Sequence, residues 1–210
     1  MIRVNNVSKM YNNECVLKNV NVMFESGKIH GLVGKNGSGK TMLMKTICGF
    51  VLPTEGFVEI DGKVIGKDID FPPSIGMIIE TPGFVPYYSG LKNLEYLASL
   101  RGMIKKSDCK RFMKVVGLDP ANRKHVSKYS LGMRQRLGIA QAIMEDPDIL
   151  VLDEPMNGLD KQGIEDIKKL LNGFRDNNKT ILIASHSQID IDELCNTVHE
   201  MDSGVLKAIK

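Results

Sequence analysis

"IHGLVGKNGSGKT", residues 29–41, decides the fold. An apolar, strand-like run, Ile29 to Val33, leads into "GKNGSGKT", Gly34 to Thr41, which matches GxxxxGK[ST]; a helix-like stretch, "TMLMKTIC", comes next. Glycines at this spacing let backbone N–H groups close on phosphate oxygens, and the start of the following helix adds positive potential. Gly34, Lys35, Asn36, Gly37, Ser38 and Gly39 form the expected cradle. Lys40 is expected to reach the β and γ phosphates, and Thr41 to offer its hydroxyl to Mg²⁺. A Gly-rich turn needs no ligand, but strand, loop and helix in this order are the frame that a phosphate-binding loop requires.

"DILVLDEP", Asp148 to Pro155, is the second signal. Four apolar residues deliver Asp153 and Glu154 to the end of a buried strand, and ligands of such sheets bind beyond the carboxyl ends of the strands. Asp153 is then placed to hold Mg²⁺, directly or through water, and Glu154 to orient or deprotonate an attacking water. An acidic pair ending a strand is often only a solvated turn. With the phosphate loop upstream, the functional reading prevails. The two motifs together imply a nucleoside triphosphatase and leave its kind open.

Working outward, β-like runs recur: "IRVNNV", "VNVMF", "GFVEI", "IGMII", "TILIAS" and "TVHEM". "IGMII", "ILVL" and "ILIA" are nearly all apolar, a pattern that predicts parallel strands buried on both faces. Ile164, Ile167, Leu170, Leu171 and Phe174 share one helical face, with Lys168, Lys169 and Asp166 elsewhere. An α/β sheet covered by helices follows. Leu91, Leu94, Leu97 and Ala98 make another helical face, and Cys109, Phe112, Met113 and Val116 a third, with no buried strand between them. The first sixty-odd residues are richer in antiparallel hairpins, "VEIDGK" being a turn candidate. The expected organisation is one α/β domain, 1–210. Its phosphate-loop core is 1–80 and 131–210, with an antiparallel β portion near the N-terminus and a helical insertion at about 81–130.

Composition bounds the rest. The 210 residues are 42% apolar, enough for an ordinary core, and the net charge of +3 gives no footprint for nucleic acid. Cys15, Cys48, Cys109 and Cys195 lie far apart with no CxxC pair and read as reduced thiols. Twelve methionines suit flexible core filling. "MIRVNNVSKMYNNE" lacks a signal-peptide core, and no stretch approaches the roughly 20 apolar residues of a membrane helix. The chain is expected in the cytoplasm, with no long regulatory domain after Lys210.

"YSLGMRQRLGIAQAIMEDP", Tyr129 to Pro147, discriminates among nucleotide triphosphatases. Ser130 reads as a helix N-cap, Gly132 as a freed backbone, and Met133, Leu137, Ala140 and Met144 as one helical face. Ser-x-Gly, then Gln-Arg, then a helix leading into the acidic strand resembles the ATP-binding subunit of ABC transporters, whose signature is LSGGQ followed by QQR. The resemblance covers nearly the whole chain. It implies an adenine-stacking role for Tyr11, a D-loop at "NGLD", Asn157 to Asp160, and a switch role for His186 after "TILIAS". It also implies two ATPase subunits, alike or different, paired head to tail. Each would bind ATP on its own Gly34–Thr41 loop, closed by the partner's Ser130–Gly132 segment. Glu154 would activate water, His186 would contact the γ-phosphate, and a separate transmembrane permease would hold the pair on the cytoplasmic face of the cell membrane.

Two departures from the family pattern stand out. Leu131 replaces the first signature glycine, and Met133 and Arg134 stand where Gln is usual. The family places Gln after the strand formed here by Ile75–Ile79, and this chain has Glu80. Gln offers a metal a neutral oxygen; Glu offers an anionic one and no donor. Glu80 is expected to face the Mg²⁺ site, the plainer alternative being a solvated loop acid. "IETPGF" together with "YSLGMRQRLGIA" is similar to subunits of bacitracin- and lantibiotic-type peptide exporters, which implies export of a peptide antibiotic and self-protection. Soluble ABC-type ATPases of DNA repair or translation carry long coiled coils or a second ATPase half, for which 210 residues leave no room. For a GTPase or small-molecule kinase, "NNKT" at Asn177–Thr180 is not the guanine-reading NKxD, and Ser130–Arg136 goes unexplained.

Overall fold

A computed structural model describes residues 1–210. In chain order the elements are β1 (Ile2–Tyr11), β2 (Glu14–Phe24), β3 (Ile29–Val33), α1 (Lys40–Ile47), β4 (Glu55–Ile60), β5 (Lys63–Val64) and β6 (Ile75–Ile78). There follow α2 (Gly90–Arg101), α3 (Lys106–Val115), a 3-10 turn at Val126–Lys128, α4 (Leu131–Ile143), β7 (Ile149–Asp153), α5 (Lys161–Asp176), β8 (Thr180–Ala184), α6 (Gln188–Leu194), β9 (Thr197–Asp202) and β10 (Val205–Ala208). They build a four-stranded sheet, β2-β1-β4-β5, and a six-stranded one, β10-β9-β3-β8-β7-β6. The first is antiparallel; the second is parallel except for β10 on β9.

The six-stranded sheet separates two apolar cores, which explains why its central strands lack alternation. Along β7, Ile149 and Val151 face the antiparallel sheet and α1, while Leu150 and Leu152 face the helical side. Along β8, Leu182 and Ala184 take the first side, Ile181 and Ile183 the second. With side chains alternating between faces and both faces dry, every position is apolar.

β6 departs from the sequence reading. "IGMII" was expected to be buried on both faces, yet β6 pairs only with β7 and forms a sheet edge. Its burial alternates: Gly76 and Ile78 are buried, Ile75 and Met77 half-buried. An apolar run does not reveal how many neighbours a strand has.

The antiparallel sheet owes its tight turns to Asn and Asp residues. Asn12 (φ 45°) and Asn13 (φ 65°) turn β1 into β2, and Asp61 (φ 49°) with Gly62 (φ 83°) turns β4 into β5 at the expected "VEIDGK". Both pairs carry the two positive φ angles of a type I′ turn.

Between β6 and α4 the chain is helical. Leu94, Ala98, Cys109, Met113 and Val116 are buried together with Leu137 of α4. Ser89 caps α2 by accepting from the Lys92 N–H, and the Gly90 N–H donates to the Tyr129 hydroxyl, 3.2 Å. On α5 the apolar face holds, with one correction: Lys168, read as off that face, is only 9% exposed. Its ammonium lies 2.9 Å from Asp190 Oδ1 and 2.6 Å from Glu193 Oε2. Burial works against its charge, but the two carboxylates outweigh it and raise its pKa. The long stem lets the charge reach α6 from under the helix. No helix is long and apolar enough to cross a membrane.

Candidate functional site

β3, β7 and β8 lie side by side and parallel, so their carboxyl ends open onto one face. A polar cavity of about 570 Å³ lies there, lined by Val16, Asn36 to Met42, Glu80, Thr81, Asp153, Glu154 and Asn157. The loop from Gly34 to Gly39 connects β3 to α1. Gly39 stands at φ 114°, and a Cβ on it would meet the Val16 carbonyl at 3.0 Å, so only glycine lets the loop pass beneath β2. As the residue before α1, Gly39 offers no side-chain cap. The first-turn amides of α1 therefore have no side-chain acceptor there and remain free for an anion.

Lys40 is nearly buried, and its ammonium donates to the carbonyls of Gly34, 2.7 Å, and Lys35, 3.0 Å. The loop thus curls around a positive charge. Ser38 Oγ is buried in the same loop without a hydrogen-bond partner. Thr41 Oγ1 donates to Asp153 Oδ2, 2.9 Å, joining the first turn of α1 to the end of β7. Burial raises the Asp153 pKa, as does the neighbouring Glu154 charge, while the Thr41 hydrogen bond works the other way.

Glu154 follows in the left-handed region, φ 51°. Its N–H donates to Ala184 O, 2.8 Å, and its carbonyl accepts from Asn157 N, 3.1 Å. Its carboxylate meets His186 Nδ1 at 2.9 Å. An ionised carboxylate only accepts, so the ring nitrogen donates. A second polar cavity of about 450 Å³, reaching from Gly34 and Lys35 past His186 to Glu200 and Asp202, adjoins this edge.

Glu80 lines the main cavity at φ 60°, and its Oε1 lies 2.6 Å from Lys45 Nζ. Lys45 is one helical turn beyond Thr41, so α1 presents a hydroxyl to Asp153 and a cation to Glu80 from the same face. The hydroxyl of Thr41 and the carboxylates of Asp153 and Glu80 are hard oxygen donors, which fits Mg²⁺. No group of three or more Asp, Glu, His or Cys residues closes on a metal by itself. That fits a cation that takes one or two carboxylates and completes its shell with phosphates and water.

Residues 17–157 match the family model described as ABC transporter. The chain belongs to the ABC transporter family.

Over 207 residues this ABC ATPase is 44% identical to a Bacillus subtilis protein named "Uncharacterized ABC transporter ATP-binding protein YybJ", covering 99% of this chain and 95% of that one. It is 43% identical to "Bacitracin transport ATP-binding protein BcrA" of Enterococcus faecalis, over 98% of this chain and 68% of the relative. Its fold superposes with a TM-score of 0.90 on a solved structure titled "Dimeric structure of a post-hydrolysis state of the ATP-binding cassette MJ0796 bound to ADP and Pi". That match is 25% identical and covers 100% of this chain and 98% of the other.

Within the ABC ATPase the remaining residues of the sequence reading lie outside the main cavity wall. Tyr11 is 59% exposed, opposite Glu14 beside the Asn12–Asn13 turn; Val16 of the same hairpin is the residue that reaches the cavity. Ser130 caps α4, its Oγ accepting from the Met133 N–H at 3.2 Å. Asp160 caps α5, accepting from the Gly163 N–H at 3.0 Å. Gly132 was read as a freed backbone, but it lies in the first turn of α4 without a positive φ. Its lack of a side chain serves closeness instead: a Cβ there would stand 2.6 Å from the Gly158 carbonyl.

Lys45 has no local signal in the sequence and reaches the site only through folding. Asn157 and Gln135 stand in the quoted D-loop and signature motifs, which give neither a role of its own; in the fold the Gln135 amide donates to the Glu154 carbonyl, 3.1 Å. The four cysteines are free, and burial pushes the Cys48 and Cys195 thiols up to about 12.

Proposed function

We propose that this ABC ATPase binds ATP with Mg²⁺ in the 570 Å³ cavity and works in a head-to-tail pair, of two copies or with a different ATPase. The pair energises a separate membrane permease from the cytoplasmic face, and the cargo is a peptide antibiotic of the bacitracin or lantibiotic type. The observation that carries the ATPase reading is the convergence on one cavity of the uncapped α1, the Thr41–Asp153 bond and the Glu154 carboxylate, with His186 bonded to that carboxylate from the adjoining cavity. Support for the cargo is the likeness to BcrA, and for the pair, the dimeric cassette.

In this reading the residues take the following roles. The amides from Gly34 to Thr41 and the Lys40 ammonium hold the phosphates. Thr41 and Asp153, with Glu80 at the cavity wall, are the oxygens that would hold Mg²⁺; when bound, the ion neutralises charge on the phosphates and the leaving group. Glu154 takes a proton from water and His186 holds the carboxylate's direction. Tyr11 would stack on adenine once the hairpin closes on the base. Ser130 and Gly132 would close the partner's site, with Asp160 fixing the turn beside them.

Light scattering of E154Q with and without ATP–Mg²⁺ tests the pair. A dimer formed only with ATP supports two shared sites and Glu154 as the hydrolytic residue. A monomer in both conditions overturns self-pairing. Loss of the gene should sensitise cells to bacitracin-type peptides, and unchanged sensitivity would remove that cargo.

A further inference from the structure

Helix α4 grips the segment 154–160 at three levels. At its first turn Leu131 lies against Gly158, its Cγ 2.5 Å from where a Cβ on Gly158 would stand, and Gly132 admits the Gly158 carbonyl. One turn further, Gln135 is 8% exposed and its amide donates to the Glu154 carbonyl, 3.1 Å. Beside it, Arg136 Nη2 lies 3.6 Å from Asp160 Oδ1.

The middle contact has a particular target. Glu154 adopts φ 51°, a conformation that a residue with a Cβ adopts reluctantly. Two donors meet at its carbonyl: the Asn157 N–H from its own turn and the Gln135 amide from α4. The side chain borne by that residue is the one facing His186. Of the two donors at this carbonyl only Gln135 comes from outside the turn; the Glu154 N–H is held separately by Ala184 O on β8, 2.8 Å. With the N–H tied to β8, the buried Gln135 amide restrains the peptide that follows Glu154, and with it the rotation that aims the Cα–Cβ bond.

We infer that Gln135 is a positioning residue for Glu154, and that it carries the placement of the Ser130–Gly132 turn into the backbone of the hydrolytic carboxylate. This rests on the paired arrangement proposed above. There Ser130 and Gly132 serve the partner's ATP while Glu154 serves this chain's own. One rigid helix, with Gln135 one turn below the signature, then makes each carboxylate sensitive to the occupancy of the opposite site.

The test uses the full chain with Q135M, which keeps length and helix preference, and Q135E, which keeps shape but removes the donor when ionised. In nucleotide-free protein, amide exchange at Asn157 and its neighbours should accelerate in both variants relative to wild type. Affinity for ATP should stay within about twofold, while kcat falls about tenfold or more, the signature of lost positioning rather than lost binding. A kcat within about twofold of wild type in both variants, or a parallel fall of ATP affinity and kcat, overturns the inference. Wild type and E154Q run alongside separate the two claims. If wild type hydrolyses ATP and E154Q does not, a silent Q135M condemns Gln135 alone; if wild type fails, the ATPase reading fails first.

Discussion

The starts of α1 and α4 are chemically opposite. α1 begins at Gly39, with no side chain to cap it, and its first-turn amides face the cavity. α4 begins at Ser130, whose hydroxyl oxygen is already engaged by the Met133 N–H. A helix end left open inside the chain is a site for an anion; a helix end closed by a serine is stable by itself. Yet a hydroxyl that accepts still has its own O–H to donate. Ser130 can therefore cap its helix and meet a phosphate brought by another chain. In the proposed pair the first helix start would be completed by substrate, the second by a partner.

The largest test of this contrast is Lys40→Ala. Without the ammonium that the loop encloses, nucleotide binding should be abolished, read by fluorescence of an ATP analogue; wild-type affinity would end the reading of α1 as the anion site. Ser130→Ala comes next. Losing the cap costs about 1 kcal/mol of stability, and losing the donor should lower turnover about a hundredfold while nucleotide binding to the isolated chain persists. Ser130→Asp separates the roles: a carboxylate caps well but cannot donate, so Tm should recover and turnover should not. Full activity in that variant would show that the cap alone matters.

Glu80→Gln is a smaller change. It breaks the exposed pair with Lys45, worth about 0.5 kcal/mol, and should leave ATP affinity intact. The ratio of Mn²⁺- to Mg²⁺-supported turnover should shift about threefold. An unchanged metal profile would take Glu80 out of the metal's surroundings.

The smallest effect concerns the cost of keeping the α1 site charged. Burial, seconded by Glu154, raises the Asp153 pKa, so the folded chain holds that proton more readily than the unfolded one. Stability therefore falls as pH rises through this window, and the charged form is a burden at neutral pH. Asp153→Asn should raise the Tm of the nucleotide-free protein at neutral pH by about a degree, given the partial exposure. The gain should vanish as pH falls below the ordinary aspartate value of 3.8. A lower Tm across the range would mean that the Thr41 bond outweighs burial.

Legibility in the sequence followed range. The cradle Gly34–Thr41, the strand delivering Asp153 and Glu154, and the cap at Ser130 are local patterns, and the sequence displayed them; that Asp160 of the D-loop motif also caps α5 emerged only in the fold. The all-apolar runs of β7 and β8 were readable because both faces are dry. β6 carries the same composition at an edge, and nothing local distinguishes it. Lys168 reads as off the apolar face, and nothing local shows its burial, because its nearest anions, Asp190 and Glu193, sit on another helix. The bonds of Lys45 to Glu80, 35 residues away, and of Gln135 to Glu154, 19 away, exist only once the sheet has brought α1 and α4 to its ends. Tyr11 is placed at the base by the family resemblance alone; the fold sets it exposed on a hairpin beside the cavity-lining Val16, where a base could reach it.

The alternation along β7 and β8 has one more consequence. Successive residues of these strands answer to different cores, so the sheet is a partition between two sets of substitutions. Leu150, Leu152, Ile181 and Ile183 can drift together with the helices on their side, while Ile149, Val151, Leu182 and Ala184 stay matched to α1 and the antiparallel sheet. A lineage can therefore refit its helical half to a new neighbour without repacking the half that carries the phosphate loop, and a protein engineer can exploit the same partition.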